Sequence, residues 1–193
     1  MKNFTKRQTQ IIQAAVVIIA ENGIQGLTMK NIAAVIGISE PALYRHFSGK
    51  HEILSGIIKL MRMNTHENSH VSKIELSPIQ TLELALRNRT AAFIDNPALA
   101  AIIFSEEIFI SDNKLSREIR AMMDERQDLF IMLLSKGQEG GEVRTDVGPE
   151  QLAILIIGAF RFIVTKCHLF DRGVNLEGEV EQLIDSIKKM ILV

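Results

Sequence analysis

The sequence predicts an all-α fold, with three closely spaced helices at the N-terminus and a bundle of longer ones behind them. Three observations carry that prediction. Apolar residues recur at three- and four-residue spacing along almost the whole chain, while the strict alternation of a half-buried strand is scarce. Gly23, Gly37, Pro78, Pro97 and Pro149 fall at the boundaries of these periodic segments. The 193 residues are 47% hydrophobic and 23% charged with a net charge of -1, which supplies a core and excludes a disordered chain.

The first helix is expected over residues 5–22, where Ile11, Ala15, Ile18 and Ile19 share a face and Gly23 closes the last turn. Lys2, Lys6 and Arg7 ahead of this apolar run give it a superficial likeness to a signal peptide. Gln8, Gln10 and Gln13 interrupt the run and no Ala-x-Ala site precedes Glu21, so a retained, buried amphipathic helix is expected. Helices follow near 28–36, 39–46 and 49–66, with Thr28, Ser39 and Ser48 as N-caps. Longer helices are expected near 78–95, 97–110, 114–137, 148–169 and 176–192, and Pro78, Pro97 and Pro149 open three of them. Residues Gly137 to Gly141 are expected to form a loop. The longest uncharged stretch, Gln8 to Ala20, has 13 residues, short of a bilayer-spanning helix, and no membrane partner is expected. The single cysteine, Cys167, forms no internal disulfide, so a cytoplasmic setting is expected.

The small net charge hides an asymmetry. Residues 1–50 carry six basic and two acidic side chains, a net of +4, whereas the remainder carries 16 basic and 21 acidic, a net of -5. A basic end on an acidic body suits contact with a polyanion at that end.

Within the basic end, Thr28 to Phe47 is the most informative stretch. Ile32 and Ala33 lie on the inner face of one helix, and Gly37 supplies the left-handed residue of a tight turn. Ile38 is expected to plug the core, and Leu43 and Phe47, four apart, to face inward from a second short helix. Glu40, Pro41, Ala42, Tyr44, Arg45 and His46 are then left on the outside. A small residue at 33 lets the two helices cross closely, the geometry that presents a recognition helix to a major groove.

The run from Thr28 through Ser39-Glu-Pro-Ala-Leu-Tyr-Arg-His-Phe-Ser-Gly-Lys50 to Leu54 resembles the DNA-binding domain of the TetR/AcrR family of transcriptional regulators. Gly137 to Pro149 is similar to the loop that precedes that family's dimerisation helices. The resemblance implies a helix-turn-helix DNA-binding domain over 1–50 and a helical ligand-binding and dimerisation domain over 51–193. It implies a ligand-released homodimeric repressor on palindromic, double-stranded operator DNA, associated with the nucleoid, without a cofactor and without enzymatic activity. A DNA-organising or occluding protein of the same fold is the alternative. Tyr44, His46 and Lys50 look like the family's phosphate contacts, and Thr28 and Ser39 stand at helix N-termini suited to phosphate. Glu40, Pro41, Ala42 and Arg45 are the candidates for base edges: Arg45 matches guanine, Glu40 matches cytosine, and Pro41 or Ala42 a thymine methyl.

In the C-terminal half, Gln151 to Phe170 is strongly apolar, with small residues at Ala153, Gly158 and Ala159. The last helix carries Val180, Leu183, Ile184, Ile187, Ile191 and Leu192 at helical spacing. Together they hold more apolar surface than one inward face needs, so pairing with their copies in a four-helix interface is expected, with plain intramolecular packing as the alternative for each helix. Arg161, alone in the apolar run, is expected at that interface, with the carboxylate of an acidic ligand or solvent as the alternatives. Phe93, Ile102, Phe104, Phe109, Met122, Met123 and Phe130 are candidates for an apolar effector pocket, with plain core as the alternative. Glu106-Glu107 would suit a cation, but no Trp and a single Tyr leave little for an aromatic cage, so an apolar or acyl effector is expected.

One enzymatic pattern has to be weighed. His66-Glu67-Asn68-Ser69-His70 matches H-E-x-x-H, which in zinc proteases puts two imidazoles on one helical face. Its polar flanks at a helix end and the lack of a further ligand at the expected spacing argue against a metal-dependent hydrolase. Cys167 and His168 are neighbours whose side chains diverge on a helix, so they form no dyad.

Overall fold

Nine α-helices and no strand are present among the described residues, as the periodicity predicts. The computed structural model describes residues 4–67, 76–96, 98–103, 113–170 and 175–193, with side chains except at 61–67, 98, 113, 169 and 170. The helices are α1 (Lys6–Asn22), α2 (Met29–Ile36), α3 (Glu40–Tyr44), α4 (Lys50–Glu67) and α5 (Pro78–Asp95). They continue as α6 (Ala98–Ile103), α7 (Asn113–Glu139), α8 (Pro149–Phe170) and α9 (Leu176–Ile191). A 3-10 turn at Ile24–Gly26, between α1 and α2, is not anticipated by the periodicity.

Three local expectations change. Ser48 lies one residue ahead of the cap of α4, which starts at Lys50. Gly49 takes the cap position, its carbonyl accepting from Ile53 N–H at 3.3 Å, and Ser48 is instead a donor to Glu52. Gly137 is helical rather than part of a loop, because α7 runs on to Glu139. A Cβ at 137 would lie 2.7 Å from Val143 Cγ2, so only glycine lets the buried Val143 fold back against the helix. Ile38 is half-buried rather than a core plug.

The chain forms two compact units, Met1–His66 with Asn96–Ile119, and Glu67–Asp95 with Arg120–Val193. In the first unit, α1 packs on α2 and α6, and its Ile11, Ile12, Ala15, Ile18 and Ile19 are all 4% exposed or less. Removing each of the four isoleucines from water stabilises the fold by about 1.5–3 kcal/mol. Gly56 of α4 sits hard against this layer; a Cβ there would meet Ile12 Cδ1 at 3.1 Å.

In the second unit, α9 packs on α5 and α8, burying Val180, Ile184, Ile187 and Ile191. Phe93 of α5 meets Phe160 of α8 with ring centroids 6.2 Å apart. The C-terminus is tied down by an isolated bridge between Val143 and Leu192, with Arg144 N–H donating to Ile191 O at 2.8 Å. On α8, Leu152, Ala153, Ile156, Phe160 and Val164 are buried, while Ile154, Leu155 and Phe162 on the opposite side are 57%, 65% and 68% exposed. By length and composition alone, the window Pro149–His168 of this helix is apolar enough to cross a bilayer.

A charged network joins α5 to α9. Arg87 donates through Nε and Nη2 to the two carboxylate oxygens of Glu181 at 2.7 and 2.9 Å. Arg87 also reaches Glu83, whose other oxygen receives Lys188 Nζ at 3.0 Å. The Arg87 hydrogen bond holds the Glu181 carboxyl below its ordinary value of 4.5. With the folded value depressed, the stabilisation is present above that ordinary value and lost as pH falls through the folded one. Both partners are about half exposed, so the pair contributes under about 1 kcal/mol. Glu181→Gln is therefore expected to lower the urea midpoint slightly at pH 7. The gap to the wild type should narrow in melts run below pH 4.5.

Candidate nucleic-acid interface

The helix-turn-helix is built by caps at each of its joints. Thr28 Oγ1 accepts from Asn31 N–H at 3.1 Å and starts α2, and the Asn31 side-chain amide donates to Gly26 O at 2.8 Å, tying α2 to the 3-10 turn. Gly37 ends α2 at φ 68°, ψ 39°. Its N–H reaches Ala34 O at 3.3 Å and Ile38 N–H reaches Ala33 O at 3.0 Å, the paired bonds of a left-handed C-terminal cap. Ser39 Oγ then accepts from Ala42 N–H at 3.4 Å and starts α3. Pro41 within the first turn forfeits no helical hydrogen bond.

Leu43 and Phe47 are 0% and 2% exposed, which fixes the inner face of α3. Of the residues expected outside, Glu40, Pro41, Tyr44 and Arg45 are exposed, while Ala42 and His46 are half-buried. Thr28 and Ser39 are exposed at their helix starts. The His46 carbonyl accepts from Gln8 Nε2 at 3.4 Å, linking the first turn of α1 to the exit of α3. Lys50 is half-buried, and its Nζ donates to Ile24 O at 3.0 Å. Glu52 receives both Ser48 donors, and those bonds hold its carboxyl below the usual range. Gln8 and Glu52 were not singled out from the sequence. The spacing of Ser48 and Glu52, one helical turn apart at a helix start, is the signal that could have found the second.

The other candidates are more dispersed. Phe93, Met122 and Phe130 are buried and Met123 half-buried in the second unit, and Ile102 is buried in the first. Phe104 and Phe109 lie outside the described residues, as do Glu106, Glu107 and Pro97. His70 also lies outside them, and the side chains of His66 and Glu67 at the end of α4 are not described. Arg161 is exposed on α8, on the side that carries Ile154 and Phe162.

Two capped helices crossed at a left-handed glycine, with a locked inner face and a polar, aromatic and basic outer one, define a helix-turn-helix DNA-binding transcriptional regulator. The model of bacterial regulatory proteins of the tetR family matches residues 11–57, and that of the tetracyclin repressor-like C-terminal domain matches 75–165. The chain belongs to the tetR family.

Two similar proteins share about a quarter of its residues. It is 27% identical over 191 residues to the HTH-type transcriptional repressor KstR2 of Rhodococcus jostii, covering 96% of this chain and 87% of that protein. It is 28% identical over 166 residues to the nucleoid occlusion factor SlmA of Aliivibrio fischeri, covering 81% and 84%. The crystal structure of the regulator FadR from Bacillus subtilis in complex with stearoyl-CoA shares the fold, with a TM-score of 0.77 and 22% identity over 93% of this chain and 96% of that one.

Proposed function

We propose that this regulator is a ligand-released homodimeric repressor that places two copies of α3 in successive major grooves of a palindromic operator. The observation that carries this reading is the α2–Gly37–α3 unit, its inner face locked by Leu43 and Phe47 and its outer face carrying Tyr44, Arg45 and Glu40. Tyr44, His46 and Lys50, with the helix starts at Thr28 and Ser39, are assigned to phosphates. Glu40, Pro41, Ala42 and Arg45 are assigned to base edges. The exposed apolar side of α8 supports pairing with a second copy, in which Arg161 would lie at the interface. An apolar or acyl effector is supported by the Phe and Met content of the bundle and by likeness to a regulator solved with stearoyl-CoA. Effector and DNA need only prefer different spacings of the two DNA-binding units for one to release the other.

Fluorescence anisotropy on duplex DNA from upstream of the gene, with competitor and a salt series, tests the reading. Tight, competitor-resistant binding by two protomers per site supports it; weak binding that fades equally on every sequence sinks it. Tyr44→Ala is expected to weaken binding on all sequences while leaving the salt slope nearly unchanged, because the phenol carries no charge. Arg45→Ala is expected to relax preference at one operator position at a cost of about 1–3 kcal/mol. The likeness to SlmA supports a second reading, a DNA-occluding protein without a small-molecule effector. Thermal-shift screening against acyl compounds separates the two, since only the first predicts a ligand that both raises Tm and releases DNA.

A further inference from the structure

Lys50 opens α4 directly after the turn that leaves the recognition helix, and two hydrogen-bonded anchors fix the chain around it. Ser48 N–H and Ser48 Oγ–H both donate to one carboxylate oxygen of Glu52, at 2.6 and 2.8 Å. Lys50 Nζ donates to Ile24 O at 3.0 Å, and an ammonium has three donors, so this bond aims the group without exhausting it. Gly49 stands between Ser48 and Lys50, and it is the residue type least able to hold a turn in one conformation by itself. The Glu52 carboxylate supplies from α4 the restraint that Gly49 lacks.

Charge alone would argue against a carboxylate here. Glu52 is exposed and lies two residues from Lys50, so it repels a phosphate backbone that Lys50 attracts. Lys114 at the start of α7, in the same unit, acts on it only weakly beside the Ser48 bonds. If Glu52 were only a surface charge, neutralising it in any way would tighten DNA binding.

We propose that Glu52 is a positioning residue for DNA binding: by pinning the Ser48 turn at the exit of the recognition helix, it presents Lys50 to the phosphate backbone. The proposal rests on the reading of Lys50 as a phosphate contact, and it makes opposite predictions for two neutral substitutions. Glu52→Gln keeps an acceptor oxygen for Ser48 and removes the repulsion. Glu52→Ala removes both.

The test is fluorescence anisotropy on the upstream duplex and on an unrelated one, each with a salt series, for Glu52→Ala, Glu52→Gln, Lys50→Ala and the Lys50→Ala/Glu52→Ala pair. Glu52→Ala is expected to weaken binding to both duplexes by about tenfold, the loss of one charged hydrogen bond. Its log–log salt slope should fall by about one. Glu52→Gln is expected to bind at least as tightly as the wild type. Adding Glu52→Ala to Lys50→Ala should cost less than about twofold, because the two act on one contact. Circular dichroism melts establish that each variant is folded at the assay temperature. Should Glu52→Ala unfold, Glu52→Asp replaces it: it keeps the charge, shortens the reach by one methylene, and is expected to weaken binding likewise.

Glu52→Ala binding as tightly as Glu52→Gln would overturn the proposal, as would additive losses in the double variant. Lys50→Ala binding like the wild type would overturn the phosphate-contact reading and this proposal with it. Weakening by Lys50→Ala but not by Glu52→Ala would overturn this proposal alone.

Discussion

Leu43→Ala is expected to abolish DNA binding on every sequence by destroying the recognition helix rather than by touching DNA. Leu43 is fully buried in α3, a helix of only five residues, Glu40–Tyr44. A helix of that length has no stability of its own and stands only while its inner face is packed. Truncating a buried leucine costs about 2–5 kcal/mol, a large part of the roughly 5–15 kcal/mol that holds an ordinary domain together. Gly37→Ala makes an instructive comparison. A Cβ at 37 meets nothing within 4 Å, so its cost is the left-handed backbone alone, about 1 kcal/mol. Urea melts followed by circular dichroism, paired with anisotropy, should rank Leu43→Ala well below Gly37→Ala, and Glu40→Ala level with the wild type in stability. A Leu43→Ala protein within about 0.5 kcal/mol of the wild type would mean that α3 is held by something other than its buried face.

What could be read from the sequence is what local rules determine. Ile11, Ala15, Ile18 and Ile19 are buried because one helical face must be. Thr28 and Ser39 cap because a hydroxyl at that position meets an otherwise unpaired N–H. The same rule misplaced the cap of α4, since it does not say whether a serine will accept or donate. With Glu52 one turn ahead, Ser48 donates, and Gly49 takes its place. The outer face of α3 follows from its period at Glu40, Pro41, Tyr44 and Arg45, whereas Ala42 is half-buried within the helix and His46 beyond its end. His46 lies beyond Tyr44, where the chain already turns toward α4, and it becomes half-buried with its carbonyl on Gln8. Contacts between distant positions leave no local trace. Val143 with Leu192, and Arg87 with Glu181 across 94 residues, had no signature that periodicity or spacing could supply. In α9, Val180, Ile184, Ile187 and Ile191 are buried within the chain, a division between own core and partner that helical spacing does not supply.

Leu155→Lys with Phe162→Lys is expected to yield a folded monomer with sharply weakened operator binding. Both side chains point away from the core of their own unit, at 65% and 68% exposure, and the residues that hold α8 in place lie on its other side. The substitutions should therefore leave the thermal melt of the subunit nearly unchanged while removing the apolar material that a second copy would cover. Lysine is the sharper choice over glutamate because Arg161 lies on the same side of α8. A glutamate there would find a counter-ion on the opposing helix, whereas two lysines add to a like charge. A palindromic operator is held by two half-site contacts, and the second is strengthened by its linkage to the first. Losing the linkage is expected to lower operator affinity by about 10²–10⁴ while each half-site is still recognised weakly. Light scattering after size exclusion gives the mass and anisotropy gives the affinity, and the two must fall together. A variant that remains dimeric with full affinity would place the dimer interface elsewhere. A wild type that is already monomeric would overturn the dimer reading.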